Sequence, residues 1–264
     1  MFTTHFKLNR QPFLERTPVE HLQRDERVRE GLARLEYFAQ AGTAALLTGP
    51  TGAGKSSLVK LFLHGLSRHR FRPLYLDLGS VGAGALLRLL VTALGETPRR
   101  GKERLFLQIL AATSNSDLTT LLLIDEAHLL EPQALTDLRL LMSSGLEDQT
   151  RLKILLCGQD RLRDELKRAH HADLVHRIHV RYHIGPLTRE QTSSYVDYQM
   201  LQAGASTTKV FEPEAKDLIH DYASGLPRQI NNIATACLLR AAGDNLQKVD
   251  AALVNRIMTE FQLP

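Results

Sequence analysis

Short apolar runs, set apart by longer stretches of helical period, organise this chain. Five of them read as strands: Ala44–Thr48, Pro73–Leu78, Thr119–Asp125, Leu152–Cys157 and His179–Ile184. Leu121–Ile124 is apolar without alternation, the mark of a strand buried on both faces. Strands that alternate with helical stretches predict an α/β fold with a parallel, doubly wound sheet. After Pro186 the strand signal stops. Helical stretches follow near Thr188–Ala203, Pro213–Ser224, Pro227–Ala242 and Asp250–Phe261. They predict an α/β domain over residues 1–186, with residues 1–40 as its N-terminal segment, and a small all-helical domain over 187–264. Thr188 with Gln191 three residues on predicts a capping box, and Gly204 and Gly225 predict the ends of the first two C-terminal helices.

Composition narrows the class. With 264 residues, 43% of them hydrophobic, the chain can bury a full core. No apolar stretch approaches the roughly 20 residues of a membrane span, and the N-terminus has no secretory apolar region, so a cytoplasmic protein without membrane contact is expected. Cys157 and Cys237 are expected as buried thiols rather than a disulfide. A formal charge of +4 permits a polyanionic partner without requiring one.

Two motifs bring in chemistry. Residues 49–56 read GPTGAGKS, of the form G-x-x-x-x-G-K-[ST]. A strand precedes this loop and the helical stretch Ser57–Leu66 follows it, as a phosphate-binding loop requires. Gly49, Pro50, Thr51, Gly52, Ala53, Gly54, Lys55, Ser56 and Ser57 are therefore the candidate ATP-binding residues: backbone N–H groups around a β-phosphate, Lys55 at the β/γ oxygens, and the Ser56 hydroxyl on Mg²⁺. Residues 121–128 read LLLIDEAH. Here a buried strand ends in Asp125, placed to hold the Mg²⁺ shell, and Glu126, placed to polarise an attacking water. The pair predicts a Mg²⁺-dependent ATPase.

The string Asp125–His128 also occurs in helicases, but those need two motor domains, and a transporter ATPase would need a Ser-Gly-Gly signature that is absent. Gly225-Leu226-Pro227-Arg228 resembles the sensor 2 motif of AAA+ ATPases, whose lid arginine reaches the γ-phosphate, a role the resemblance gives to Arg228. Within that superfamily the chain resembles ExeA-type ATPases along nearly its whole length: His5-Phe6-x-Leu8 with Pro12-Phe13, the loop at 48–58, the acidic strand at 122–130, LLCGQDRL at 155–162 and GLPRQINNIATACLL at 225–239. The resemblance implies Gln159, with Cys157 as rival, at sensor 1, and Arg177, with Arg181 second, as the arginine finger. It implies that Phe6, Leu8, Pro12 and Phe13 pack near the base, although they also suit ordinary core anchors. His128 reads as a helix-start residue near the site.

ExeA-type ATPases resemble two sorts of protein, membrane-anchored ATPases that help assemble type II secretion portals and soluble regulators of DNA transposition of the IstB/TniB/MuB kind. The secretion form continues into a transmembrane segment and a peptidoglycan-binding domain, and this sequence stops at Pro264, which favours the transposition reading. That reading implies an ATP-dependent homo-oligomer, ring or helical filament, on double-stranded DNA, with a transposase and a target-selection protein as partners. The alternative is an ATPase assisting type II secretion assembly. Arg99, Arg100, Lys102 and Arg104, within Pro98–Arg104 between two helices, are the candidate DNA contacts, since sequence-tolerant phosphate binding needs unpaired cations. A second basic stretch, Arg161–His171, carries acids at helical spacing and is expected as an exposed helix with i,i+4 pairs.

Overall fold

The sheet follows from where apolar residues can hide their backbone as well as their side chains. In the computed structural model, which describes residues 2–77, 83–143 and 151–261, Leu121 to Ile124 are fully buried. Their strand, β3 (Thr119–Asp125), lies inside a sheet with β1 (Ala44–Thr48), β2 (Phe71–Asp77), β4 (Leu152–Gly158) and β5 (Ile178–His183), in the order β2-β3-β4-β1-β5. Every pairing among these strands is parallel. β1 and β3 have the predicted bounds, β4 runs one residue further, and β5 is set one residue earlier at each end. β2 starts two residues before Pro73, and a proline inside a strand is tolerated here because β2 is an edge, where its missing N–H costs no ladder bond. Leu78, the end of the predicted run, lies outside the described residues.

The helices are α1 (Phe2–His5), α2 (Glu26–Ala41), α3 (Lys55–Gly65), α4 (Ala83–Ala93), α5 (Lys102–Ser114), α6 (Pro132–Ser143), α7 (Asp160–Leu166), α8 (Ala172–Arg177), α9 (Arg189–Gln202), α10 (Pro213–Ala223), α11 (Pro227–Gly243) and α12 (Ala251–Phe261). Thr188 starts α9 with the expected capping box: Gln191 N–H donates to Thr188 Oγ1 at 3.2 Å, and Thr188 N–H donates to Gln191 Oε1 at 3.0 Å. Pro213 and Pro227 each occupy a first helical position, where a missing N–H costs nothing.

Packing divides the chain into two compact units, and the C-terminal helices begin theirs at Gly185. Residues 29–49 and 58–184 hold the sheet, with a core that includes Leu86, Leu90, Leu122, Ile124, Leu135 and Leu156. Described residues within 1–28, 50–57 and 185–264 form the other unit. The N-terminal segment joins the C-terminal helices because its aromatic side chains are buried there. Phe2 and Phe13 share a core with Phe211, Ile230 and Val254, and the Phe13 ring stands edge-on to Phe211 with centroids 6.0 Å apart. A backbone bond from Asn9 N–H to Ala203 O, 2.8 Å, fastens the same segment. Both cysteines are buried thiols outside any disulfide, as expected, and burial alone pushes the Cys237 thiol up to about 12. Among the described residues no helix is long and apolar enough to cross a membrane.

Candidate functional site

In the unit that holds the phosphate loop, the chain leaves Pro50 and enters α3 at Lys55, so the first-turn N–H groups of the helix open onto the loop. Gly52 adopts φ +82°, and a Cβ there would stand 2.9 Å from Arg228 Cβ, so only glycine fits. The Arg228 N–H donates to Gly52 O at 3.3 Å, which ties the start of α11 to the loop while the Arg228 side chain stays exposed. Lys55 is buried, and its ammonium donates to Pro50 O at 3.0 Å. Thr51 and Ser56 are exposed, Ala53 is buried, and Ser57 is half-buried. A buried ammonium, a turn only glycine can make and a helix N-terminus together form a donor set that fits a polyphosphate chain.

In the sheet unit, β3 ends in Asp125, almost fully buried. Both of its oxygens are accepting: Tyr75 on β2 donates its hydroxyl hydrogen to Oδ2 at 2.7 Å, and Glu126 N–H donates to Oδ1 at 2.9 Å. Burial first, and then the hydrogen bond and charge of Asp125, push the Tyr75 phenol above its ordinary range, so it stays a donor. Glu126 takes a left-handed conformation, φ 52° and ψ 32°, in which a non-glycine residue stores about 1–3 kcal/mol of strain. This turn swings the chain from strand into the 3-10 turn Ala127–Leu129 and leaves the Glu126 side chain 39% exposed, within reach of water, while Asp125 is held fast.

His128 is in that turn, as expected of a residue beside the site, and it touches both neighbours. Its Nε2 lies 3.5 Å from Glu126 Oε2, and the Gln159 N–H points at its Nδ1 from 3.5 Å. Gln159 stands just past the end of β4, half-buried, whereas Cys157 is buried within the strand. Arg177 ends α8, and its guanidinium has no partner among the described residues; Arg181 instead donates to Val175 O at 2.9 Å. Nothing in the sequence marked Tyr75; only the parallel register, which sets Asp77 beside Asp125, brings the residue two positions earlier within reach.

The basic loop between α4 and α5 is pinned from below by Gln108. Its amide donates to Thr97 O at 3.1 Å and Glu96 Oε2 at 3.0 Å, and its Oε1 accepts the Arg99 N–H at 3.0 Å. Arg99, Arg100 and Arg104 are exposed, with guanidinium groups free of partners among the described residues. Lys102 is not an unpaired cation as expected. Its ammonium sits 2.7 Å from Oδ1 of Asp137, a carboxylate of α6 with no exposure, because a buried charge must be neutralised. The second basic stretch also differs from expectation. Its pairs are spaced i,i+3, Asp160 with Arg163, Asp164 with Lys167 and Glu165 with Arg168, since α7 is too short to carry the i,i+4 set.

A parallel sheet with a phosphate loop after β1, paired acids ending β3 and a helical unit that starts α11 with Gly-x-Pro-Arg defines an AAA+ P-loop fold. Residues 39–166 match the family described as AAA domain, and the chain is 31% identical over 255 residues to general secretion pathway protein A of Aeromonas hydrophila. That similarity covers 94% of this chain but only 46% of the relative, so the chain spans about half of its length. Among solved structures, the Aeropyrum pernix ORC1 protein in complex with DNA superposes with a TM-score of 0.66 at 17% identity, covering 95% of this chain and 67% of that one. Drosophila ORC bound to DNA gives 0.72 at 17% identity, covering 100% and 66%. Both show the fold.

Proposed function

We propose that this protein is a Mg²⁺-dependent ATP hydrolase that works as a self-associating switch. The observation that carries the reading is the bond from Arg228 N–H to Gly52 O, which joins the Gly-x-Pro-Arg segment to the phosphate loop. When bound, ATP with its Mg²⁺ supplies the phosphoanhydride that is cleaved. Gly49, Pro50, Thr51, Gly52, Ala53, Gly54, Lys55, Ser56 and Ser57 hold the phosphates through N–H groups and one ammonium, and Ser56 and Asp125 hold the ion. Glu126 takes the proton of the attacking water, Gln159 orients that water, and Arg228 offsets charge on the terminal phosphate. Arg177 from a neighbouring copy completes the charge compensation, an effect worth about 10³–10⁵ in rate.

Two readings of the partner follow. Similarity to the Aeromonas general secretion protein along most of this chain speaks for a switch in the assembly of a secretion apparatus. The exposed trio Arg99, Arg100 and Arg104 on a pinned loop speaks for the other, a regulator of transposition that binds duplex DNA as an oligomer and recruits a transposase. A gel shift of duplex DNA at low salt with ATP, ADP or no nucleotide separates them. An ATP-dependent, sequence-tolerant shift supports the DNA-bound regulator; no shift, at concentrations where the protein oligomerises, leaves the secretion reading.

A further inference from the structure

We propose that Glu165, His170 and His171 form a binding site for one divalent transition-metal ion of the Zn²⁺ type, independent of the nucleotide chemistry. One ligand atom from each of the three residues lies within 4.8 Å of the other two. Oε1 stands 3.2 Å from His171 Nε2 and 3.7 Å from His170 Nε2. Bonds of about 2.0–2.2 Å around a tetrahedral Zn²⁺ separate neighbouring ligand atoms by roughly 3.3–3.5 Å, so side-chain rotations alone bring these atoms to their places.

The chain builds this cluster locally. Glu165 lies in the last turn of α7, and the two histidines fall in the 3-10 turn Ala169–His171 that leads to α8. A bond from His171 N–H to Arg168 O, 2.9 Å, closes that turn and sets the ring centroids 4.0 Å apart. Arg168 Nη1 reaches both Glu165 oxygens, 3.0 Å from Oε2 and 3.4 Å from Oε1, and so orients the carboxylate, its nearer bond falling on the oxygen that faces away from the rings' shared position. His171 is almost fully buried, and its ring meets the Glu165 carboxylate across 3.2 Å, so burial and this contact hold its place. His170 is half exposed, which leaves a side open for water as the remaining ligand. Two imidazoles and one carboxylate suit Zn²⁺ better than Mg²⁺ or Ca²⁺, which take oxygen. Two nearby cations are paired elsewhere, Arg163 with Asp160 and Lys167 with Asp164.

The test is calorimetry of the full chain with ZnCl₂, nucleotide-free and in excess Mg²⁺, together with visible absorption of the Co²⁺-loaded protein. One Zn²⁺ per chain and a four-coordinate Co²⁺ spectrum are expected. His170→Ala, an exposed position that leaves the core intact, and Glu165→Gln should each abolish that binding event, while His64→Ala, far along α3 in sequence and exposed, should keep it. Circular dichroism confirms that the variants are folded. No Zn²⁺ bound by the native chain, or the same stoichiometry in His170→Ala and Glu165→Gln, overturns the proposal.

Discussion

The Tyr75 hydroxyl donates to Asp125 Oδ2 across 2.7 Å, and the N–H of Glu126 holds the other oxygen of that carboxylate at 2.9 Å. An acid with both oxygens fixed presents its remaining lone pairs in one direction. Tyr75→Phe removes one fixing bond and no volume from a core, since Tyr75 is 46% exposed. With about 1 kcal/mol lost, the Mg²⁺ concentration for half-maximal ATPase activity should rise by about fivefold, with the melting temperature nearly unchanged. A Mg²⁺ dependence that stays put or tightens would show that the phenol does not orient Asp125.

Lys55 and Glu126 should separate binding from hydrolysis. Lys55→Ala removes a buried ammonium from the loop, and nucleotide affinity should fall by about 100-fold or more, read with a fluorescent ATP analogue. Glu126→Gln keeps shape and loses the proton acceptor, so turnover should drop by about 10²–10⁴ while affinity stays within roughly threefold. Normal turnover by Glu126→Gln would remove that residue from its proposed role.

The strands and the two motifs were legible because each rests on local chemistry. Leu121–Ile124 has no polar residue to expose, and GPTGAGKS sits between a strand and a helix. Tyr75 and Asp137 were not legible, since each acquires its meaning from a neighbour in space. Tyr75 depends on β2 pairing with β3, and Asp137 depends on α6 burying a carboxylate beside Lys102, 35 positions away in sequence. The place of the N-terminal segment was hidden for the same reason: Phe2 and Phe13 read as apolar anchors, but their partners Phe211 and Val254 lie at the other end of the chain.

Complementation tests the finger. Arg177→Ala should lower the ATPase rate by about 10³ or more, as loss of a trans-acting arginine does. Lys55→Ala subunits bind nucleotide too weakly to turn it over and retain Arg177; mixed with Arg177→Ala subunits, they should restore part of the activity. Native turnover per subunit should rise with protein concentration. A rate independent of concentration, with Arg177→Ala undiminished, would make the protein a monomeric switch.

Lys102 and its basic neighbours should part company. Lys102→Ala leaves Asp137 buried with Gln133 as its remaining side-chain donor among the described residues, at 3.3 Å, and should cost about 1–3 kcal/mol, several degrees of melting temperature. Arg99→Ala, Arg100→Ala and Arg104→Ala should leave melting within about a degree, since exposed arginines without partners contribute little. If the DNA-bound reading holds, the triple arginine variant should weaken binding on every sequence. The slope of log affinity against log salt should fall by up to about 2.7, roughly 0.9 for each phosphate that a subunit no longer neutralises. A salt slope unchanged in the triple variant would place the DNA elsewhere on the protein.

Gly225 offers a test of the segment that carries Arg228. It adopts φ +68°, and a Cβ placed there would lie 2.2 Å from Leu187 O, a backbone atom that cannot swing aside as a side chain does. Leu187 N–H donates to Gly225 O at 2.8 Å, so relieving the clash also breaks this bond. Left-handed backbone costs an L-residue about 1–2 kcal/mol before the clash is counted. Gly225→Ala should therefore destabilise its unit by more than about 2 kcal/mol, seen as faster hydrogen exchange of amides in α10 and α11. It should also weaken ATP binding, because the start of α11 holds both Arg228 and the bond to Gly52. Gly65→Ala is the control: nothing lies within 4 Å of its added Cβ and it ends α3, so it should be neutral or slightly stabilising. Equal behaviour of the two variants would mean that the Gly225 turn is not what fixes Arg228 in place.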